Sequence, residues 1–119
     1  MARRILILVA FALFDAQPGW AADAARGKEL FERLCTHCHT TTHEEKFGPG
    51  LADVTKRVPP EKLDRWLADP VGMAQTDEYF RKLRASNRWG MQMPPYPEMK
   101  DPKARADVIE YLKTLHSEE

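Results

Sequence analysis

Cys35-Thr36-His37-Cys38-His39 constrains this chain more than any other stretch. The pattern C-x-x-C-H marks a covalent haem attachment site. Two thiols one helical turn apart add to the two vinyl groups on one porphyrin edge. The imidazole that follows then lies beneath the macrocycle, where it binds iron. Cys35 and Cys38 are the only cysteines of the chain, so the site uses both. Two other chemistries fit less well. Structural zinc takes four ligands, commonly from two paired knuckles, and here His37, His39 and His43 accompany one Cys pair with no distant second half. A thioredoxin-like dithiol sits in a βαβ pattern. This pair instead ends a helical pattern, and no strand-rich segment follows.

The chain has 119 residues, the size of one small domain with a thin core. A porphyrin at its centre supplies apolar contact that the side chains alone do not. Lys and Arg number 18, as do Asp and Glu, so the overall balance points to neither nucleic acid nor a membrane surface. The N-terminus has the form of a secretory signal: Arg3 and Arg4, an apolar run over residues 5–14, then a break at Pro18-Gly19. Cleavage is expected after Ala21, with Ala24 as the alternative, so that 1–21 is leader and 22–119 the mature domain. A ten-residue run at 1.5 Å per residue reaches about half of a ~30 Å hydrocarbon core, which disfavours a retained anchor. Export places the site in the periplasm, and cleavage leaves the mature chain with a formal charge near −1.

The first mature helix is expected over 24–38, with Asp23 as N-cap and Gly27, Leu30, Phe31 and Leu34 on one buried face. Gly27 costs about 1 kcal/mol against Ala inside a helix. A close crossing by a second helix would explain it. Residues 40–46 read as loop, and 47–51 as a glycine–proline turn from which a backbone carbonyl accepts the Nδ1–H of His39. A short helix spans 60–68, opened by Pro60 and stopped by Pro70. Trp66 on it packs against the haem edge or aims its indole N–H at a propionate. A third helix is expected from Thr76 as N-cap to Ala85. The cations Arg81, Lys82, Arg84 and Arg88 either form a solvated face or steer an acidic redox partner.

The loop 89–97 is stiffened by Pro94, Pro95 and Pro97. A thioether from it is a soft, neutral ligand suited to low-spin haem iron. Met93, next to the proline pair, is the first candidate, ahead of Met91, Met99 and Met73. The last helix starts at Asp101 and Pro102, with Ala104, Val108, Tyr111, Leu112 and Leu115 as its apolar stripe. It is expected to cross the first helix near Gly27 and Phe31, with Tyr111 in the contact and Glu118 and Glu119 frayed. No internal repeat or strand pair is evident.

These features together resemble the class I monohaem c-type cytochromes. The matching residues are Gly27 and Phe31, Cys35-x-x-Cys38-His39, Gly48-Pro49-x-Leu51, Met93-Pro94 and Tyr111-Leu112. They span the mature chain in the family's order. The resemblance implies an all-α fold of about four helices around one haem c, with crossing N- and C-terminal helices. It implies thioether bonds at Cys35 and Cys38, axial ligation by His39 and Met93, and a Pro49 carbonyl that orients His39. It also implies one-electron transfer rather than bond-making catalysis. The segment 76–89 departs from the shortest members in its length and charge. The expected role is a soluble periplasmic carrier, monomeric or in transient complexes with redox proteins. An electron-accepting subunit of a periplasmic dehydrogenase or oxidase is the alternative. A gas-binding or peroxidatic haem protein would need an open sixth position, against which Met93 argues.

Overall fold

The computed structural model describes residues 21–117, and the regular structure among them is all helical. The expected leader therefore lies outside the described residues except for Ala21, as do Glu118 and Glu119. Helix α1, Ala24–Leu34, opens at Asp23, whose carboxylate accepts the N–H groups of Ala25 and Arg26. It buries Gly27, Leu30 and Phe31. The helix ends four residues short of the expected Cys38. Thr36 is a reason: its hydroxyl donates to the Glu32 carbonyl at 2.8 Å, the acceptor its own N–H would need to continue the helix. Cys35 becomes the C-cap, and the N–H groups of Cys38 and His39 both return to its carbonyl, at 3.1 and 2.9 Å. The C-x-x-C-H segment is thus a tight turn hung on the end of α1.

Helix α2, Val54–Arg57, is one turn long and follows Asp53, which takes a left-handed φ of 58°. Helix α3, Pro60–Ala68, has the expected bounds. Pro70 ends it and also begins a helix that the sequence reading omitted: α4, Pro70–Thr76, is capped by the Asp69 carboxylate, which accepts from Gly72 N–H at 2.9 Å. Helix α5, Glu78–Ala85, is capped by Asp77 rather than Thr76; the Thr76 hydroxyl instead donates to the Gly72 carbonyl. A 3-10 turn, Pro97–Lys100, leads to α6, Pro102–Leu112, capped by Asp101 as expected.

Helices α1 and α6 cross at Gly27. A Cβ there would collide with the Asp107 carbonyl and lie 3.0 Å from Tyr111 Cβ. One turn on, the Phe31 and Tyr111 rings meet at 5.3 Å and 60°. Phe31, Leu30, Val108 and Leu112 join Leu63, Leu67 and Phe80 in one core. Asp107 was not expected on this buried face, yet its side chain is fully buried. Burial alone would raise its pKa. The Asp23 N–H at 2.8 Å, the Lys103 ammonium at 3.0 Å and the more distant Arg26 outweigh that and hold the carboxyl below its ordinary range. Asp107 therefore fastens the start of α1 to α6. Arg105 ties α6 to α3 through Asp64 at 2.7 Å. No helix among the described residues is long and apolar enough to cross a membrane.

Candidate haem site

The turn after α1, the 47–51 loop, α3, α5 and the methionine loop enclose a cavity of about 610 Å³, within the ordinary range for a bound small molecule. Cys35, Cys38, His39, Pro49, Trp66 and Met93 all line it, although they span 59 positions of sequence from first to last. Met91 also reaches the cavity but is 41% exposed. Met93 packs against the core. Met99 and Met73 are core packing and do not line the cavity.

Cys35 and Cys38 are both free and half-buried. Burial, helped by the neighbouring Cys38, pushes the Cys35 thiol up to about 11. Redox dithiols behave oppositely: their reactive cysteine is acidified, often by a helix N-terminus. Here Cys35 caps a helix C-terminus, where the dipole disfavours negative charge. A dithiol exchange role is therefore poorly served. Zinc is no better served, since no group of three or more His, Cys, Asp or Glu among the described residues is placed to hold a metal ion.

The ring of His39 is fixed from two directions. Its Nδ1 lies 2.8 Å from the Pro49 carbonyl oxygen. A carbonyl only accepts, so Nδ1 carries the proton and Nε2 keeps a free lone pair. Burial lowers the His39 pKa, and the Pro49 bond offsets this only in part, so the ring is neutral at pH 7. Gly48 covers the ring so closely that a Cβ there would sit 2.5 Å from His39 Cε1 and 2.9 Å from Nδ1. The loop carrying Pro49 is itself anchored: Gly48 N–H donates to the Cys38 carbonyl at 2.7 Å, and Leu51 N–H to that of Thr40 at 3.0 Å.

Met93 is also held. Its sulfur accepts the indole N–H of Trp66 at 3.1 Å. For Trp66 the sequence offers packing against the haem edge or an N–H aimed at a propionate. An indole has one N–H, and in the structure it goes to Met93. Two residues that the sequence reading missed order the same loop. Gln92 Nε2 donates to the Met93 carbonyl at 3.0 Å. Asn87 donates to the Phe47 carbonyl at 2.7 Å while its side-chain oxygen accepts the N–H groups of Trp89 and Met91. Asn87 thereby joins the methionine loop to the 47–51 loop. An asparagine two residues before the Trp-Gly pair is a turn signal, which could have marked it. Of the expected basic stretch, Lys82 pairs with Glu78 at 2.9 Å and Arg88 with Glu45 at 3.1 Å, so it is not a bare cationic patch.

Two thiols, a neutral imidazole with a free Nε2, a restrained thioether and apolar walls make a donor set that fits one haem. Comparison with known proteins agrees. The cytochrome c family model matches residues 24–116. Cytochrome c2 of Rhodopila globiformis is 35% identical over 112 residues, covering 85% of this chain and 98% of that protein. A cytochrome c of Chlamydomonas reinhardtii is 30% identical, covering 78% and 89%. Among solved structures, cytochrome c from Rhodothermus marinus superposes with a TM-score of 0.70 at 30% identity, over 77% of this chain and 75% of that one.

Proposed function

The chain belongs to the cytochrome c family and so is an electron-transfer protein with one covalently bound haem c; from that premise, we propose that it is a periplasmic single-electron carrier whose iron is ligated by His39 and Met93. Cys35 and Cys38 hold the group through two thioether bonds. His39 would present Nε2 to the iron, because its Nδ1 keeps the proton and donates it in a hydrogen bond to the Pro49 carbonyl. Met93 presents its sulfur from a loop that Pro94, Pro95 and Gln92 keep in place. The bound haem supplies an iron that takes up and gives back one electron.

The protein's own contribution is constancy of shape. A weak thioether bond does not order a loose loop, so the loop must be ordered beforehand. The apolar walls exclude water, which limits rearrangement around the iron on each transfer. Phe47, which lines the cavity, stays 43% exposed, and Trp89, 46% exposed, packs against it with ring centroids 5.5 Å apart. They offer a redox protein a small apolar contact suited to brief association. The secretory form of residues 1–21 supports export to the periplasm.

The observation that carries the ligand assignment is the His39–Pro49 bond at 2.8 Å in the same cavity as a hydrogen-bonded Met93 sulfur. Optical spectroscopy tests it. The oxidised protein is expected to show the weak far-red band of sulfur-bound ferric haem. Met93→Ala should abolish that band and Met91→Ala should leave it. A high-spin wild-type spectrum, or a band that survives Met93→Ala, would overturn the assignment.

A further inference from the structure

Two walls of the cavity meet along a seam. Glu45, Phe47 and Gly48 line one wall, just ahead of Pro49, and Asn87, Met91 and Met93 line the other. Three contacts close the seam. Asn87 Nδ2 donates to the Phe47 carbonyl at 2.7 Å. Arg88 pairs with Glu45 at 3.1 Å, and the Trp89 ring meets Phe47 edge-on. The ion pair is exposed on both sides and so contributes little. The aromatic contact joins two rings that are each nearly half exposed. Asn87 is the directional member, and it also stiffens its own wall. Its Oδ1 accepts the N–H groups of Trp89 and Met91, both at 3.0 Å, and its backbone carbonyl accepts that of Gly90 at 3.1 Å. The chemistry settles which way the amide faces, since a carbonyl only accepts and a backbone N–H only donates. Gly90 takes the left-handed φ of 63° that this tight turn needs. Residues 87–91 therefore move as one unit, with Met93 two residues beyond.

We propose that Asn87 is a positioning residue that locks the methionine loop to the loop orienting His39, so that the Met93 sulfur leaves iron only when this seam opens. The inference rests on the reading of Met93 as an iron ligand. A chain of contacts runs from one ligand to the other. His39 Nδ1 bonds the Pro49 carbonyl at 2.8 Å, Phe47 lies two residues before Pro49, and Asn87 ties Phe47 to the turn that leads to Met93. Withdrawal of the sulfur carries the 87–91 turn away from the cavity, and that motion breaks the Asn87–Phe47 bond. Such an opening is local: it gives up exposed contacts at the seam and leaves the α1–α6 crossing closed. Asn87 supplies no donor to iron and acts only through the backbone it holds.

The test mixes imidazole with the ferric, haem-loaded full chain. Imidazole competes with Met93 for iron, so its binding rate levels off, as its concentration is raised, at the rate of sulfur departure. Wild type is compared with Asn87→Ala, Asn87→Asp and Asp107→Asn. Asn87→Asp keeps an oxygen for the Trp89 and Met91 N–H groups and removes only the donor to Phe47. Loss of one hydrogen bond is worth about threefold to tenfold, so both Asn87 variants should raise the limiting rate by about that factor. Asp107→Asn weakens the α1–α6 crossing, away from the cavity walls, and should leave the limiting rate at the wild-type value. Unchanged rates in both Asn87 variants would overturn the proposal. A rise in Asn87→Ala without one in Asn87→Asp would confine Asn87 to its own turn and would also overturn it. An equal rise in Asp107→Asn would mean that the sulfur leaves by unfolding of the whole domain, again against the proposal. Failure of the underlying ligand reading looks different: the wild-type rate would climb with imidazole without levelling off, and the far-red sulfur band would be missing.

Discussion

Replacing Gly27 with Ala tests the packing that closes the fold behind the cavity. Ala is favoured over Gly by about 1 kcal/mol in a helix interior, so on α1 alone the change would stabilise. The crossing reverses that sign. The new methyl would overlap the Asp107 carbonyl oxygen, and would lie 2.5 Å from its carbon and 3.0 Å from Tyr111 Cβ. Carbon atoms rest at about 3.5–4.0 Å, so α1 and α6 must part by about 1 Å. Overpacking of this kind costs about 1–3 kcal/mol. The upper end applies, because a backbone carbonyl cannot rotate away. Parting also stretches the Asp23–Asp107 hydrogen bond, a further loss of about 1 kcal/mol. After the helix gain is set against these, the net loss is about 2–3 kcal/mol, or about 10–20 °C in Tm for a domain of this size. Guanidinium and thermal melts of the haem-loaded protein, followed by far-UV circular dichroism, measure it. Gly72→Ala is the control. A Cβ there meets the Asp69 carboxylate, a side chain free to turn away, so a lost cap of about 1 kcal/mol roughly cancels the helix gain. If Gly27→Ala matches or exceeds wild-type stability, the close crossing is wrong.

Other substitutions probe other joints. Asp107→Asn should cost about 1–2 kcal/mol at pH 7, from loss of the charged bond to Lys103. Its effect should vanish in acid: a depressed folded pKa gives stability that is full above the unfolded value of about 3.9 and is lost as pH falls through the folded one. Urea melts across that range would show no such convergence if Asp107 were unlinked to folding. Gly48→Ala drives a Cβ into the His39 ring and should lengthen its bond to Pro49, giving a mixed-spin or high-spin spectrum. A wild-type low-spin spectrum would show that the ring is not wedged there. Asn87→Ala removes the tie between two loops and should speed amide exchange at Trp89 and Met91 by about tenfold. Unchanged exchange would mean that the loop is ordered by its prolines alone.

The parts of this molecule legible in the sequence were those specified locally. Asp23, Pro60 and the Asp101–Pro102 pair mark helix starts through capping and fixed φ, and the structure places helices there. The crossing at Gly27 was legible because a glycine on an apolar helix face needs a reason. The errors came where one residue serves two purposes. Pro70 reads as a stop, but it also starts α4, whose first turn the Asp69 side chain caps. Thr36 shortened α1 through a side-chain bond that competes with the backbone, which apolar periodicity does not register. Contacts between distant segments were least accessible. Asp107 interrupts an apolar stripe and accepts a backbone N–H from 84 positions away, and Trp66 gives its N–H to a residue 27 positions on. Side-chain type announced that both needed partners, but only the fold could say which.

The central claim is that one haem is joined to this chain through the sulfurs of Cys35 and Cys38. Its most direct test is the intact mass of the purified protein under denaturing, acidic conditions. A single species is expected, the polypeptide plus the mass of one haem, reduced to bare polypeptide when both cysteines are replaced by Ser. A bare polypeptide from the unaltered protein, with the pigment released on denaturation, would contradict it.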